Sequence, residues 1–236
     1  KCKALFRSGS GVDALPLKRA AELGIEVHNT PESIAESVAE HAVSLLFAMA
    51  HTIVEGDRNV RRGKWFDGLN CMRWHLTGRT LGLVGYGRIA RHVETMVSGF
   101  RMNVIHFDPF SKDSVPLDEL LANSDFVSLH CPLTEDTRHM IGMRELKLMK
   151  RNAVLVNTSR GAVVNEKALI EALKNGIIGG AALDVTDPEP PEKDNPLFRM
   201  DNVIVTPHIA AFSADFEKNF WLCSVEKLKT LSGKFK

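Results

Sequence analysis

The sequence predicts an α/β fold built on a doubly wound parallel sheet, and three features of its 236 residues carry that prediction. Six short runs that are apolar on both faces, "TLGLVG", "MNVIHF", "FVSLH", "AVLVN", "GGAALDV" and "NVIVTP", recur between residues 80 and 207. Segments with helical spacing separate them, the arrangement of a parallel sheet covered by helices on both sides. A Gly-x-Gly-x-x-Ala turn, "GYGRIA", joins the first run to the first of these helices.

Composition bounds the rest. With 44% hydrophobic and 25% charged residues, the chain reads as soluble and globular, long enough for one large domain or one domain plus part of another. Thirty basic against twenty-nine acidic residues leave a net charge of +1, which gives no electrostatic case for nucleic acid or an anionic membrane as partner. The cysteines Cys2, Cys71, Cys131 and Cys223 are scattered without metal-ligand spacing. They read as reduced thiols in a cytoplasmic protein, with no metal site expected.

In chain order, "KCKALFRSGSGVDALPLKRAAELGIEVHNTP" starts without methionine in a strand-like run, which predicts a missing segment ahead of it. A long helix follows from about Ser33, with Pro31 near its start and "SIAE" as a capping box. Its apolar positions Ile34, Val38, Ala42, Leu45, Leu46, Met49 and Ile53 follow a 3.6-residue period, so one face is expected to be buried. Glu36, Glu40, His41 and His51 make it a buried soluble helix rather than a membrane span. After the six strands, Phe216, Phe220, Cys223, Leu228 and Leu231 mark one closing helix with a basic tail.

The glycine turn is the first chemical signal. Gly85 and Gly87 lie where strand becomes helix, and the missing Cβ atoms let a dinucleotide pyrophosphate approach the backbone and the helix N-terminus. Ala90 occupies the third glycine position, and Ile89, Val93 and Val97 give the helix its buried face. Arg88 is within reach of the pyrophosphate. Eighteen residues after Ala90, Asp108 ends the next strand, where a carboxylate accepts from ribose hydroxyls and repels a 2′-phosphate. NAD is therefore expected over NADP. The string alone would equally describe a tight structural turn; strand, helix, second strand and terminal aspartate together favour the cofactor.

Three more side chains follow strand candidates: Arg160 after "AVLVNTS", Glu189 after "GGAALDVTDP" and His208 after "NVIVTP". Ligands of doubly wound sheets bind at the carboxyl ends of the strands, so the three are expected to converge there. An arginine grips a carboxylate bidentately, and a histidine oriented by a glutamate exchanges a proton near neutral pH. Singly, each has a plain alternative: a packing histidine, an arginine capping a strand end, an exposed loop acid. The catalytic reading rests on their joint placement.

With these residues in hand, the sequence resembles the D-isomer-specific 2-hydroxyacid dehydrogenases, through "GSGVD", "GIEVHNTP", "VAEHAVSLL", "GKW", "LGLVGYGRIA", "HCPLTEDTRHMI", "LVNTSRGAVVNEKALIEAL", "GAALDVTDPEP" and "NVIVTPHIA" in order. The resemblance implies that Arg160, Glu189 and His208 are the catalytic trio. It implies that Asp184 contacts the nicotinamide amide, and that Thr30, Arg88, Ile89, Asp108, Cys131, Thr158 and Ser159 are cofactor contacts beside Gly85 and Gly87. Ser10 and Gly11 correspond to amides that, with Arg160, hold the substrate carboxylate.

The same resemblance implies a Rossmann NAD-binding domain over 33–212 and the last part of a flavodoxin-like substrate domain over 1–32, its N-terminal units missing. The C-terminal helix, 213–236, would return to that substrate domain. A homodimer through the long helix is the expected assembly, a small 2-hydroxy or 2-oxo acid the expected substrate, and hydride transfer with NAD the expected reaction. Two alternatives stand beside it: an NADH-sensing corepressor-like binding protein of the same fold with little turnover, and a nucleotide-binding fragment inactive for lack of its N-terminal half.

Overall fold

The computed structural model describes residues 2–7, 9–68 and 74–232, so Cys71 and the final basic residues lie outside the described part. The chain divides into two compact units, one formed by residues 1–38 and 210–236 and the other by 39–209. Its elements in order are β1 (Ala4–Arg7), α1 (Leu17–Glu22), β2 (Glu26–Asn29), α2 (Ala35–Ala50) and α3 (Ile53–Arg61), then β3 (Thr80–Val84), α4 (Arg88–Val97) and β4 (Asn103–Phe107). There follow α5 (Leu117–Asn123), β5 (Phe126–Leu129), α6 (Met143–Leu148), β6 (Val154–Asn157), α7 (Glu166–Lys174), β7 (Gly180–Leu183), β8 (Val203–Val205) and α8 (Phe216–Ser232). Among the described residues no single helix is long and apolar enough to cross a membrane.

In the first unit β1 and β2 pair in parallel, Ala4 opposite Glu26. Thr30, fully buried after β2, ties the turns together: its amide donates to the Gly9 carbonyl, and its hydroxyl accepts from the Gly9 amide. From α8, Lys227 reaches back to the Asn29 carbonyl and to Glu32.

The second unit is a six-stranded, wholly parallel sheet in the order β4-β3-β5-β6-β7-β8. All six strands anticipated from the sequence are present. Their buried residues alternate between two apolar layers. Val127, Leu129, Leu155, Ala181 and Leu183 face one that contains Leu120, Leu146 and Leu169 from α5, α6 and α7. Leu81, Leu83, Phe126, Val154, Val156 and Ala182 face the other, with Leu45 and Leu46 of α2 and Ala90 and Val93 of α4. Gly82 sets how closely α5 approaches, since a Cβ there would lie 2.5 Å from Leu120 Cδ2 and 2.3 Å from Ser124 Oγ.

Two expectations about the long helix need correction. It ends at Ala50, because Thr52 adopts a left-handed conformation (φ 50°) and α3 sets off at 61° to α2. Ile53, read as part of the buried stripe, is therefore exposed. Three consecutive β-branched residues, Thr52, Ile53 and Val54, weaken the helix at the break. The capping box at Ser33 does not form either. Residues Pro31–Ser33 make a 3-10 turn, and the Ser33 hydroxyl donates back to the Thr30 carbonyl at 2.7 Å.

At the opposite end of the sheet from the strand ends of interest, Asp125 anchors β3 and β5. Its carboxylate accepts from the Thr80 amide (2.9 Å) and meets Lys150 (3.2 Å) and Arg79 (3.4 Å). Burial acts to raise its pKa, but the Thr80 amide and the two cations outweigh that and hold the carboxyl below the usual range. Asp125→Ala is expected to cost about 1–3 kcal/mol in urea unfolding at pH 7. A depressed folded pKa gives stability that is complete above the unfolded value and lost as pH falls through the folded one. The gap between wild type and variant should thus close on acidification below the normal carboxylate range; a gap that persists there would rule out the charge as its source.

Candidate active site

The chain leaves β3 for β4 on one side of the sheet and returns to β5 on the other, so a crevice opens between the ends of β3 and β5. Gly85 and Cys131 face each other there. Gly85 has φ 86°, and a Cβ on it would lie 2.7 Å from the Cys131 amide nitrogen. Burial pushes the Cys131 thiol up to about 11, so it is a neutral wall rather than a nucleophile. Gly87 is different. A Cβ there would meet no atom within 4 Å, and α4 begins immediately after it without a side-chain cap on its first amides. Unpaired first-turn amides opening on free space form an anion site.

Asp108 stands just past β4 and fixes this turn. One carboxylate oxygen accepts from the Tyr86 amide (2.8 Å), the other from the Phe110 amide (2.9 Å). The Tyr86 ring is drawn aside, stacked on His106 at 3.7 Å with its hydroxyl donating to Glu94. Arg88 is exposed at the start of α4, whereas Ile89 turns inward against the α2 layer. Among the described residues, two buried side-chain atoms near these strand ends have no hydrogen-bond partner: His130 Nδ1 after β5 and Thr158 Oγ1 after β6. Burial lowers His130 to about 4, keeping it neutral. An open glycine, free helix amides and an unpaired Thr158 hydroxyl fit a bound dinucleotide.

Arg160, Glu189 and His208 follow β6, β7 and β8. Asn157, buried at the end of β6, shapes the first of these loops: its amide donates to the Arg160 carbonyl, and its oxygen accepts from the Ser159 amide and hydroxyl. Gly161 lets that loop touch the next, for a Cβ would lie 1.9 Å from the Thr186 carbonyl oxygen. Arg160 donates to the Ser159 carbonyl at 2.7 Å. Glu189 is held at both oxygens, one accepting from the Thr186 amide (3.1 Å) and the other 2.8 Å from His208 Nδ1. A carboxylate only accepts, so Nδ1 carries the proton and Nε2 is left to exchange one. The Glu189 and His208 side chains are 37% and 46% exposed, open enough for a ligand to reach.

His208 adopts φ 54°, a conformation that costs a non-glycine residue on the order of 1–3 kcal/mol and needs support. Asp184, whose carboxylate is wholly buried, provides it. The Asp184 carbonyl accepts from the His208 amide (2.8 Å), and Oδ1 accepts from the Ile209 amide (3.0 Å) and the Thr206 hydroxyl (2.5 Å). Of the other anticipated site residues, Ser10, Gly11 and Thr30 belong to the first unit, where the Ser10 carbonyl accepts from Asn29. Sequence reasoning passed over Asn157 and Thr206. A polar residue ending an apolar strand is the signal common to Asn157, Asp184 and Thr206.

Residues 43–210 match the family described as "D-isomer specific 2-hydroxyacid dehydrogenase, NAD binding domain". A glyoxylate reductase of Korarchaeum cryptofilum is 45% identical over 225 residues, covering 90% of this chain and 68% of that protein. A D-3-phosphoglycerate dehydrogenase of Methanocaldococcus jannaschii is 42% identical, covering 97% of this chain; the chain spans 45% of that relative's length. The crystal structure of an Aquifex aeolicus D-lactate dehydrogenase with NAD and lactic acid superposes with a TM-score of 0.87 at 30% identity, covering 98% of this chain and 77% of that one.

The two glycines should separate binding from folding. Gly87→Ala is expected to cost less than about 1 kcal/mol in thermal unfolding, the scale of a changed cap, yet weaken NADH binding at least tenfold by fluorescence titration. Gly85→Ala should lower stability first, by about 2 kcal/mol or more, because a left-handed turn and a backbone contact are both violated. Equal effects of the two on stability would refute the distinction.

Proposed function

This chain belongs to the D-isomer-specific 2-hydroxyacid dehydrogenase family, whose NAD-binding domain it carries, and from that premise we propose that it transfers a hydride between nicotinamide and C2 of a D-2-hydroxy acid or its 2-oxo acid. The observation that carries the reading is the His208 Nδ1 contact with Glu189 at 2.8 Å, beyond the ends of β8 and β7. Bound NAD supplies the hydride acceptor, and NADH the donor. Gly87, the first amides of α4 and the Thr158 hydroxyl would hold its polar groups, and the Asp108 carboxylate would accept from ribose hydroxyls and disfavour a 2′-phosphate.

Arg160 grips the carboxylate and the C2 oxygen of the acid, which orients the C2 hydrogen. His208 Nε2 accepts the hydroxyl proton as the alcohol is oxidised. In the reverse direction the imidazolium returns that proton to the developing alkoxide. Glu189 keeps the ring in the Nδ1–H tautomer, which leaves Nε2 as the atom that exchanges the proton. Relatives of this chain include enzymes named for glyoxylate and hydroxypyruvate reduction, so small 2-oxo acids are the substrates to try first.

The proposal is tested by the loss of NADH absorbance with glyoxylate, hydroxypyruvate, phosphohydroxypyruvate and pyruvate, NADPH being run in parallel. Fast turnover of at least one with NADH is expected; tight NADH binding without turnover of any would move the reading to a nucleotide sensor. His208→Asn should lower kcat by about a hundredfold to ten-thousandfold with NADH affinity kept, as expected for a lost general acid. Arg160→Lys should chiefly raise the substrate KM, because a point charge replaces a fork. The exposed apolar residues Ile53, Val60, Trp65 and Phe66, on and after α3, support a homodimer; sedimentation at twice the chain mass would bear that out, and a monomer at micromolar concentration would refute it.

A further inference from the structure

His41, on α2, lies 165 residues before Thr206, yet its Nε2 is 3.1 Å from the Thr206 hydroxyl and 3.4 Å from Asp184 Oδ1. The direction of these contacts follows from counting protons. A threonine hydroxyl has one, and at 2.5 Å it is given to the Asp184 carboxylate, which accepts only. Thr206 must therefore accept from His41, so Nε2 is protonated. The donors His41, Thr206 and the Ile209 amide all converge on one edge of a carboxylate with no exposure to water. Through its carbonyl the same aspartate holds the amide of His208, the residue with φ 54°.

From this chain of contacts we infer that His41 is a positioning residue for the reaction: by fixing the Thr206 hydroxyl and Asp184, it sets the backbone from which the His208 imidazole is aimed at the substrate. The inference rests on the role proposed for His208. His41 touches neither Glu189 nor His208 by any contact described above; it acts through two intermediaries, both at the ends of adjacent strands. A histidine that merely filled space beneath the sheet would be replaced equally well by an apolar side chain of similar size. One that works as an Nε2–H donor is replaced only by another donor at the same reach.

Two variants of the full chain separate these cases. His41→Leu removes the donor at similar volume, and His41→Gln carries an amide N–H close to the position of Nε2. The first readout is the ring resonance of His208 in the NMR spectrum of the NADH-bound protein, assigned by its disappearance in His208→Asn. It should move in His41→Leu and return to the wild-type position in His41→Gln. The second is turnover of the best 2-oxo acid: His41→Leu should lower kcat about tenfold with substrate KM within about threefold, the pattern of an interaction that matters in the transition state, and His41→Gln should restore most of it. An unmoved His208 resonance in His41→Leu, or two variants equally perturbed, would overturn the inference. A wild-type chain without turnover would instead defeat the proposed function, and the resonance would still decide the case of His41.

Discussion

A carboxylate sealed from water organises the loops that follow β7 and β8. Leaving a buried charge without partners costs several kcal/mol, so the fold must bring donors to Asp184. It does so with the Thr206 hydroxyl, the Ile209 amide and His41 Nε2. Meeting that demand fixes the path of the chain after β8, and with it the left-handed turn at His208. The electrostatic requirement of one residue becomes the geometric precision of another. Glu189 completes the arrangement from the neighbouring loop, itself pinned by the Thr186 amide.

The same economy operates along the sheet. Parallel strands buried on both faces deliver their carboxyl ends to one side, and the loops there meet across glycines that leave no room for a Cβ. Gly161 against Thr186 and Gly85 against Cys131 are such contacts. They join the loop after β3 to that after β5, and the loop after β6 to that after β7, bringing well-separated parts of the sequence together at one edge of the sheet.

Much of this was legible from residues alone, for identifiable reasons. The six strands were, because continuous apolar runs of that length between helical patterns have few other uses. Arg160, Glu189 and His208 stood out through their joint placement after three successive strands, and Asp108 because of its distance from the glycine turn. The break at Thr52 was not legible, since the apolar period runs on through Ile53 as though the helix continued. The Ser33 motif misled because the Thr30 carbonyl lies within reach of the same hydroxyl and takes its proton. His41 looked like a polar blemish in an apolar helix. Its partner, Thr206, lies far along the chain, and no local pattern carries that information.

Asp108 ties together two properties that are usually treated as separate. Its carboxylate is proposed to serve the adenosine ribose, yet both oxygens already accept from backbone amides, at Tyr86 within the glycine turn and at Phe110 beyond it. A carboxylate oxygen has lone pairs enough to serve a ribose hydroxyl as well, so the two duties coexist. They are not independent, however. A substitution at 108 that leaves no acceptor oxygen releases the Tyr86 amide of the glycine turn and the Phe110 amide together, whereas asparagine removes the charge and keeps one acceptor. On the proposed role of Asp108, cofactor preference is thus coupled to loop order, and the side chain that replaces it must still offer an acceptor to the Tyr86 amide.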